Sequence, residues 1–261
     1  MHNIVIASIL GLVEGLTEFL PVSSTGHLIL VGQFLHFTSD SAATFDIAIQ
    51  LGAILAVVVV YRPVFYRFLS FNVVKDTQAR RIVIAILPAL VLGFLTHSFI
   101  KHHLFSSFTV ALALLIGGIC MLVIEKCIKK PATTLSLDNM TYRQAFFIGI
   151  CQCVSLWPGM SRSGATLIGG LLGRLDYKTS AEFSFIIAVP VMIAATGYDL
   201  IKSYSLLNST DGVMISTGFL VSFGVALLAI LSFIKVLQKW KLAPFAWYRI
   251  AIGAGLLWLL H

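Results

Sequence analysis

Residues 14–27 read EGLTEFLPVSSTGH, a cluster of carboxylates, hydroxyls and one imidazole set between the apolar stretches IVIASILGLV (4–13) and LILVGQFLHF (28–37). A ten-residue helical arm rises about 15 Å, half of a hydrocarbon core about 30 Å thick. Neither flank crosses a bilayer alone, and the last turns of the first arm carry both glutamates, so they cannot face lipid. The stretch therefore reads as a re-entrant hairpin over residues 3–37, dipping in and returning to the same side. Non-helical backbone at that depth is tolerated only where protein or a water-filled cavity satisfies it, which makes the tip a candidate site.

The remainder of the chain agrees. Of 261 residues 58% are hydrophobic and 11% charged, with a mean hydropathy of +0.96, the composition of an integral membrane protein. Six stretches approach the roughly 20 apolar residues of a span: 43–61, 81–99, 107–125, 182–201, 213–234 and 242–260. The start, MHN, has no basic n-region and no small-residue cleavage site after a short apolar core, so the first segment is expected to stay in the mature chain.

A second broken segment, 142–157 and 164–175, surrounds PGMSRSGAT (158–166) and reads as another hairpin over 142–175. The two hairpins match. Gly11 pairs with Gly149, Glu14 with Gln152 and, after a one-residue gap, Pro21 with Pro158; downstream, FDIAIQLGAILAV from Phe45 aligns with FSFIIAVPVMIAA from Phe183. The common offset of about 138 residues, with three spans after each hairpin, predicts an internal duplication. The expected fold is an all-α polytopic membrane protein forming one membrane domain over 1–261. Repeat one covers about 1–125 and repeat two about 140–261, inverted relative to each other, with the hairpin tips meeting near the midplane.

Charge gives an orientation. If the first hairpin opens outside, the inner segments hold Arg62, Arg67, Lys75, Arg80, Arg81, Lys126, Lys129, Lys130, Arg143, Arg174, Lys178, Lys235, Lys239 and Lys241, fourteen of the 18 Lys and Arg. Only Lys101 and Lys202 lie outside; Arg162 sits in the second tip and Arg249 near the start of the last span. That bias follows the positive-inside rule. The net charge of +7 is thus mainly a topology signal, and no basic-aromatic pattern points to nucleic acid.

The tips can be read as chemistry. Glu14 and Glu18 are four apart and share a helical face; two carboxylates at that depth suit a hard cation, Mg²⁺ or Ca²⁺, completed by water or substrate oxygens. Ser24 and His27, three apart beyond Pro21, fall on adjacent turns with the imidazole expected in reach of the hydroxyl, a nucleophile and general base pattern. Each feature has a plainer reading: interfacial carboxylates, hydroxyls that cap the second arm, a satisfied interior histidine. In the second tip, Ser161, Arg162, Ser163, Gly164 and Thr166 lead into a helix whose N-terminal amides form an anion site. Arg162 adds a planar fork suited to phosphate, although a snorkelling arginine would also explain it. Glu14, Glu18 and Arg162 sum to −1, which repels phosphate; one divalent cation turns the pocket to +1. Together the tips suggest metal-assisted phosphoryl transfer inside a membrane.

At these residues the sequence resembles the bacterial undecaprenyl-diphosphate phosphatases, the bacitracin-resistance family, through EGLTEFLPVSSTGH and PGMSRSGAT, with further likeness in FDIAIQLGAILAV, DNMTYRQAFFIG and EFSFIIAVP. The resemblance implies hydrolysis of undecaprenyl diphosphate to the monophosphate and phosphate, which recycles the lipid carrier of cell-wall polysaccharides. It implies an inner-membrane protein of inverted repeats, a divalent metal and a site open to the periplasmic side. It places the function on Glu14 and Glu18 as metal ligands, on Glu18, Ser24, His27 and Arg162 as catalytic groups, and on Thr25, Ser161, Arg162, Ser163 and Thr166 as phosphate-binding groups. The nucleophile stays open among Ser24, His27 and a metal-bound water. The partners expected are an isoprenoid diphosphate and membrane lipids, with a homodimer left open.

A reading from another class uses the same architecture. Inverted repeats with broken helices are also the marks of secondary transporters, so a carrier or flippase for an isoprenoid phosphate is the alternative. Two acids and a Ser/His cluster facing a Ser-Arg-Ser tip suit bond cleavage better than coupled ion movement. Cys120, Cys127, Cys151 and Cys153 form no CxxC pair, and Cys151 and Cys153, two apart in an apolar arm, are read as small buried thiols. Asp46 and Gln50 are expected to face the cavity, and Asp138 to hold a loop.

Overall fold

A computed structural model describes residues 2–37, 40–68, 75–128, 130–203 and 212–260; Lys129 of the inner set lies outside them. Eleven α-helices follow one another among the described residues: α1 His2–Thr17, α2 Ser24–Phe34, α3 Asp40–Val60, α4 Arg62–Phe68, α5 Thr77–His103, α6 Ser107–Cys127, α7 Tyr142–Gln152, α8 Arg162–Leu172, α9 Tyr177–Ser203, α10 Gly212–Trp240 and α11 Ala243–Leu259. Neither hairpin arm of repeat two exceeds 11 residues, and α2 also has 11, so these helices reach only about half way through a bilayer.

Four helices, α5, α6, α9 and α10, are long and apolar enough to cross a membrane, and α3 with α4 makes a fifth candidate bent by 93°. The sixth expected span, α11, has 17 residues, the lower end of the spanning range. The protein is therefore a multi-pass membrane protein. The sharp turn at Tyr61 sends α4, with Arg62 and Arg67, away from the axis of α3.

Helix ends are set by polar caps rather than by where hydropathy falls. Asp76 accepts hydrogen bonds from the amides of Gln78 at 2.7 Å and Ala79 at 3.0 Å, so α5 begins four residues before the expected span. Capping boxes Ser106/Thr109 and Thr141/Gln144 open α6 and α7, each satisfying amides that a helix N-terminus leaves free.

The hairpins recur at the 138-residue offset in backbone detail. Ser23 has φ 72° and Ser161 φ 70°, each hydroxyl accepting from the amide three residues on, Gly26 or Gly164. The returning arms both end in a left-handed residue, His36 at φ 52° and Arg174 at φ 67°. A non-glycine residue in this region is uncommon and costs about 1–3 kcal/mol, so its recurrence at two matched pairs marks a copied geometry.

Each hairpin packs against a span of the other half. α1 lies on α10 and α7 lies on α5, while α11 lies on α6. Between helices in lipid no hydrophobic force operates, and close backbone approach carries the packing. A Cβ on Gly11 would stand 2.6 Å from Gly218 O, and one on Gly149, its partner at the same offset, 2.5 Å from Ala85 O. Ser222 adds a hydrogen bond across the contact of α10 with α3, to Ile49 O at 2.7 Å. A central cluster of Phe19, Val22, Leu167, Phe185, Phe233 and Phe245 draws both tips into one core.

Candidate active site

The first tip begins where α1 runs out. Its buried stripe, Ala7, Leu10, Gly11, Glu14 and Gly15, continues into Glu18, whereas Leu12 and Leu16 face outward. Helical periodicity thus carries both glutamates inward. Pro21 interrupts the helix, and Ser23 caps α2, placing Ser24 at its first position.

The structure brings Ser24, Glu18 and Arg162 together. Ser24 donates its hydroxyl hydrogen bond to Glu18 Oε2, and Arg162 Nη2 donates to Glu18 Oε1 at 2.9 Å. The side chains of Glu18 and Arg162 are 8% and 13% exposed, a pairing that joins residues 144 apart in the chain. Arg162 Nη1 also donates to Ser184 O at 2.8 Å, and its guanidinium lies over the Phe19 ring. Breaking a buried pair of this kind by removing one partner costs about 3–5 kcal/mol.

Two buried polar groups beside this pair have no partner. Both carboxylate oxygens of Glu14 and the Nε of Arg162 make no hydrogen bond, and Glu14 is wholly buried. An unpaired carboxylate at that depth is costly. Glu18 has both oxygens engaged by donors, whereas both oxygens of Glu14 are open to a ligand. Those free oxygens fit a hard divalent cation, and the free Nε fits an anion. Among the described residues no group of three or more His, Cys, Asp and Glu could hold a metal; a cation at the Glu14 oxygens would take its remaining ligands from water or substrate.

His27 takes a different place from the one its spacing predicts. Its Nδ1 lies 2.7 Å from Ser23 O and its Nε2 2.7 Å from the Tyr248 hydroxyl. A carbonyl only accepts, so Nδ1 carries the proton and Nε2 accepts from the phenol. The two rings lie within 4° of parallel, centroids 5.5 Å apart. The hydrogen-bond partner of Ser24 is Glu18, because the turn of the backbone at Ser23 aims the serine back along the tip and the imidazole toward α11.

The second tip is fastened to the first. Ser163 donates to Leu20 O at 2.8 Å and lies 3.0 Å from the Ser161 hydroxyl, which caps Gly164. Thr25 lies in the first turn of α2, partly exposed. The Thr166 hydroxyl lies 2.6 Å from that of Ser184 and bonds to Arg162 O at 2.9 Å, so it ties α8 to α9 one turn beyond Arg162. Asp138 accepts from Gln78 Nε2 at 2.7 Å, a loop contact.

Arg249 and Tyr248, on α11, complete the site and were not singled out by spacing. Arg249 is 1% exposed and donates to five carbonyls: Pro21 at 3.3 Å in the first tip, Gly159 at 3.0 Å and Met160 at 2.9 Å in the second, and Ala113 at 3.2 Å and Leu114 at 3.4 Å on α6. Five donors of a rigid fork meet five acceptors, and the carbonyls freed by the irregular tips are thereby satisfied. Gly117 makes room, since the guanidinium occupies the place its side chain would take. The available signal was the cost of an arginine inside an apolar span; its targets, from 89 to 228 residues away, carry no sequence mark.

A sequence profile described as Bacitracin resistance protein BacA matches residues 7–255 of this chain. Proteins named undecaprenyl-diphosphatase are similar along nearly the whole length. One from Nitratidesulfovibrio vulgaris is 51% identical over 257 residues and one from Maridesulfovibrio salexigens 50% over 259. A protein named undecaprenyl-diphosphatase 1, from Bacillus thuringiensis, is 49% identical over 257 residues. In each case 97% of both chains is covered.

Proposed function

The chain belongs to the bacitracin resistance protein BacA family, and from that premise we propose that it hydrolyses undecaprenyl diphosphate to undecaprenyl phosphate and inorganic phosphate. The activity returns the lipid carrier to cell-wall polysaccharide synthesis, and resistance to bacitracin is the property for which the family is named. One observation carries the assignment of roles: the Ser24 hydroxyl donates to Glu18, and Glu18 is paired with Arg162.

In this reading Ser24 Oγ attacks the terminal phosphorus and its proton passes to Glu18. The bond from that phosphorus to the bridging oxygen breaks, and undecaprenyl phosphate leaves with the electron pair. Water then attacks the phosphoserine, and the proton on Glu18 returns to Ser24 Oγ as that bond breaks. Glu18 is preferred to His27 as the base because it already accepts the serine hydrogen bond, the geometry that proton transfer needs. Arg162 receives phosphate oxygens through its unpartnered Nε, and Ser161, Ser163 and the amides opening α8 shape the anion site. Glu14, with Glu18, would hold a Mg²⁺ or Ca²⁺ ion, which supplies positive charge to phosphoryl oxygens when bound.

The location proposed is the bacterial inner membrane, with the site open to the periplasmic side; the distribution of Lys and Arg supports that orientation. Phosphate release by purified protein in detergent tests the activity where no gradient can drive transport. Wild-type protein with Mg²⁺ or Ca²⁺ should release phosphate, and Ser24→Ala and Glu18→Gln should each lose at least about a hundredfold in kcat. Absence of release from undecaprenyl diphosphate by the wild type would overturn the assignment. Substantial turnover by Ser24→Ala would instead favour water as nucleophile.

A further inference from the structure

Tyr248 has no role in the mechanism above, yet its hydroxyl makes the only side-chain hydrogen bond that His27 receives among the described residues. The imidazole is 8% exposed, held at Nδ1 by Ser23 O at 2.7 Å and at Nε2 by Tyr248 at 2.7 Å. The tyrosine ring is 44% exposed, so only its polar end reaches inward. It lies parallel to the imidazole, with ring centroids 5.5 Å apart. The next residue, Arg249, is locked by five carbonyls drawn from both tips and α6. That lock fixes the rotation of α11 about its own axis and therefore the point at which the phenol arrives.

We propose that Tyr248 is a positioning residue of the phosphatase: its hydroxyl holds His27 in one tautomer and one orientation beside the tip that carries Ser24. The inference rests on the reading of the chain as a phosphatase. Its physical basis is that His27 Nδ1 holds the Ser23 carbonyl, so an imidazole fixed by the phenol steadies the turn from which Ser24 is presented to Glu18, as a reacting group's rotamer is locked by the partners behind it. Ser23 O alone leaves the ring free to swing about that single bond. Tyr248 also stands at the outer face of the pair, so the imidazole Nε2 meets the phenol before any group arriving along α11.

The test compares wild type, Tyr248→Phe, His27→Gln and the double variant, all as full-length protein in detergent, by phosphate release from undecaprenyl diphosphate with Mg²⁺. Tyr248→Phe keeps the ring and removes only the hydroxyl. It should lower kcat about tenfold, the scale of one lost hydrogen bond, with KM within about twofold of wild type. In the His27→Gln background the same change should have an effect of less than about twofold. Wild-type kcat in Tyr248→Phe, or losses that multiply in the double variant, would overturn the proposal. Carbethoxylation of His27 by diethyl pyrocarbonate, located by mass spectrometry, is read independently of turnover. It should rise severalfold in Tyr248→Phe as Nε2 is uncovered, and an unchanged rate would also overturn it. If the wild type itself releases no phosphate, the activity assignment fails, while the labelling still decides whether Tyr248 covers His27.

Discussion

At the scale of single residues, the site is a set of buried groups some of which are satisfied and some conspicuously not. Glu18 accepts from Ser24 and Arg162, whereas Glu14, one turn earlier and wholly buried, has neither oxygen paired. If Glu14 holds the cation, Glu14→Gln should remove the response of stability to that ion. In EDTA the variant should melt within about 2 °C of wild type, because an unpartnered buried carboxyl is replaced by an amide of the same shape. Added Mg²⁺ or Ca²⁺ should raise the wild-type Tm and leave Glu14→Gln unmoved; an equal rise in both would place the ion elsewhere. The carboxylates and the Ser-Arg-Ser tip were legible in the sequence because polar residues in an apolar chain stand out. The partner of Ser24 was not, since spacing alone pairs it with His27 and only the backbone turn at Ser23, φ 72°, redirects both side chains. Tyr248 escaped notice for a related reason: 221 residues separate it from the imidazole it touches.

At the scale of elements, the apolar stretches located every helix but α4, which lies beyond the expected span 43–61, and set few of their ends. Caps at Asp76, Ser106 and Thr141 decide where helices begin, and the bend after Val60 sends α4 off at 93°, with Pro63 in the first turn of α4 unable to continue the hydrogen-bond ladder of α3. How the elements meet depends on small residues. Gly11 and Gly149 occupy equivalent places, each with backbone of the other half within 2.6 Å of where a Cβ would be. Gly11→Ala and Gly149→Ala should each destabilise the protein by about 1–3 kcal/mol through overpacking, since carbonyl groups of a packed helix cannot yield as a side-chain end can. Gly255→Ala, with nothing within 4 Å of the new methyl, should be neutral or stabilising by up to about 1 kcal/mol from helix propensity. Thermal unfolding in detergent compares the three directly. Equal effects at all three sites would mean that the close crossings are not what holds the hairpins.

At the scale of the whole molecule, the halves are interleaved rather than set side by side, with each hairpin on a span of the other half and both tips fastened by one side chain of α11. Among the described residues Arg249 has no carboxylate partner; its charge is met by carbonyl dipoles. Arg249→Met should therefore take the donor from the tip carbonyls of Pro21, Gly159 and Met160 at once and cost about 3 kcal/mol or more. Arg249→Lys should recover little, because a compact ammonium cannot reach acceptors arranged around a planar fork. Both should lower turnover as well as Tm, and a lysine variant equal to wild type in both would show that charge alone suffices.

The same interleaving makes orientation a property of the molecule rather than of any segment, because one inverted hairpin would separate the tips. With the endogenous cysteines replaced, single cysteines at Lys101 and Lys239, both exposed, report the two sides. An impermeant maleimide applied to intact cells should label Lys101→Cys, whereas Lys239→Cys should react only after the inner membrane is permeabilised. The expectation follows from the crowding of Lys and Arg at one end of the spans, which insertion retains on the cytoplasmic side. The reverse pattern would turn the site toward the cytoplasm and require its substrate to arrive from the inner leaflet.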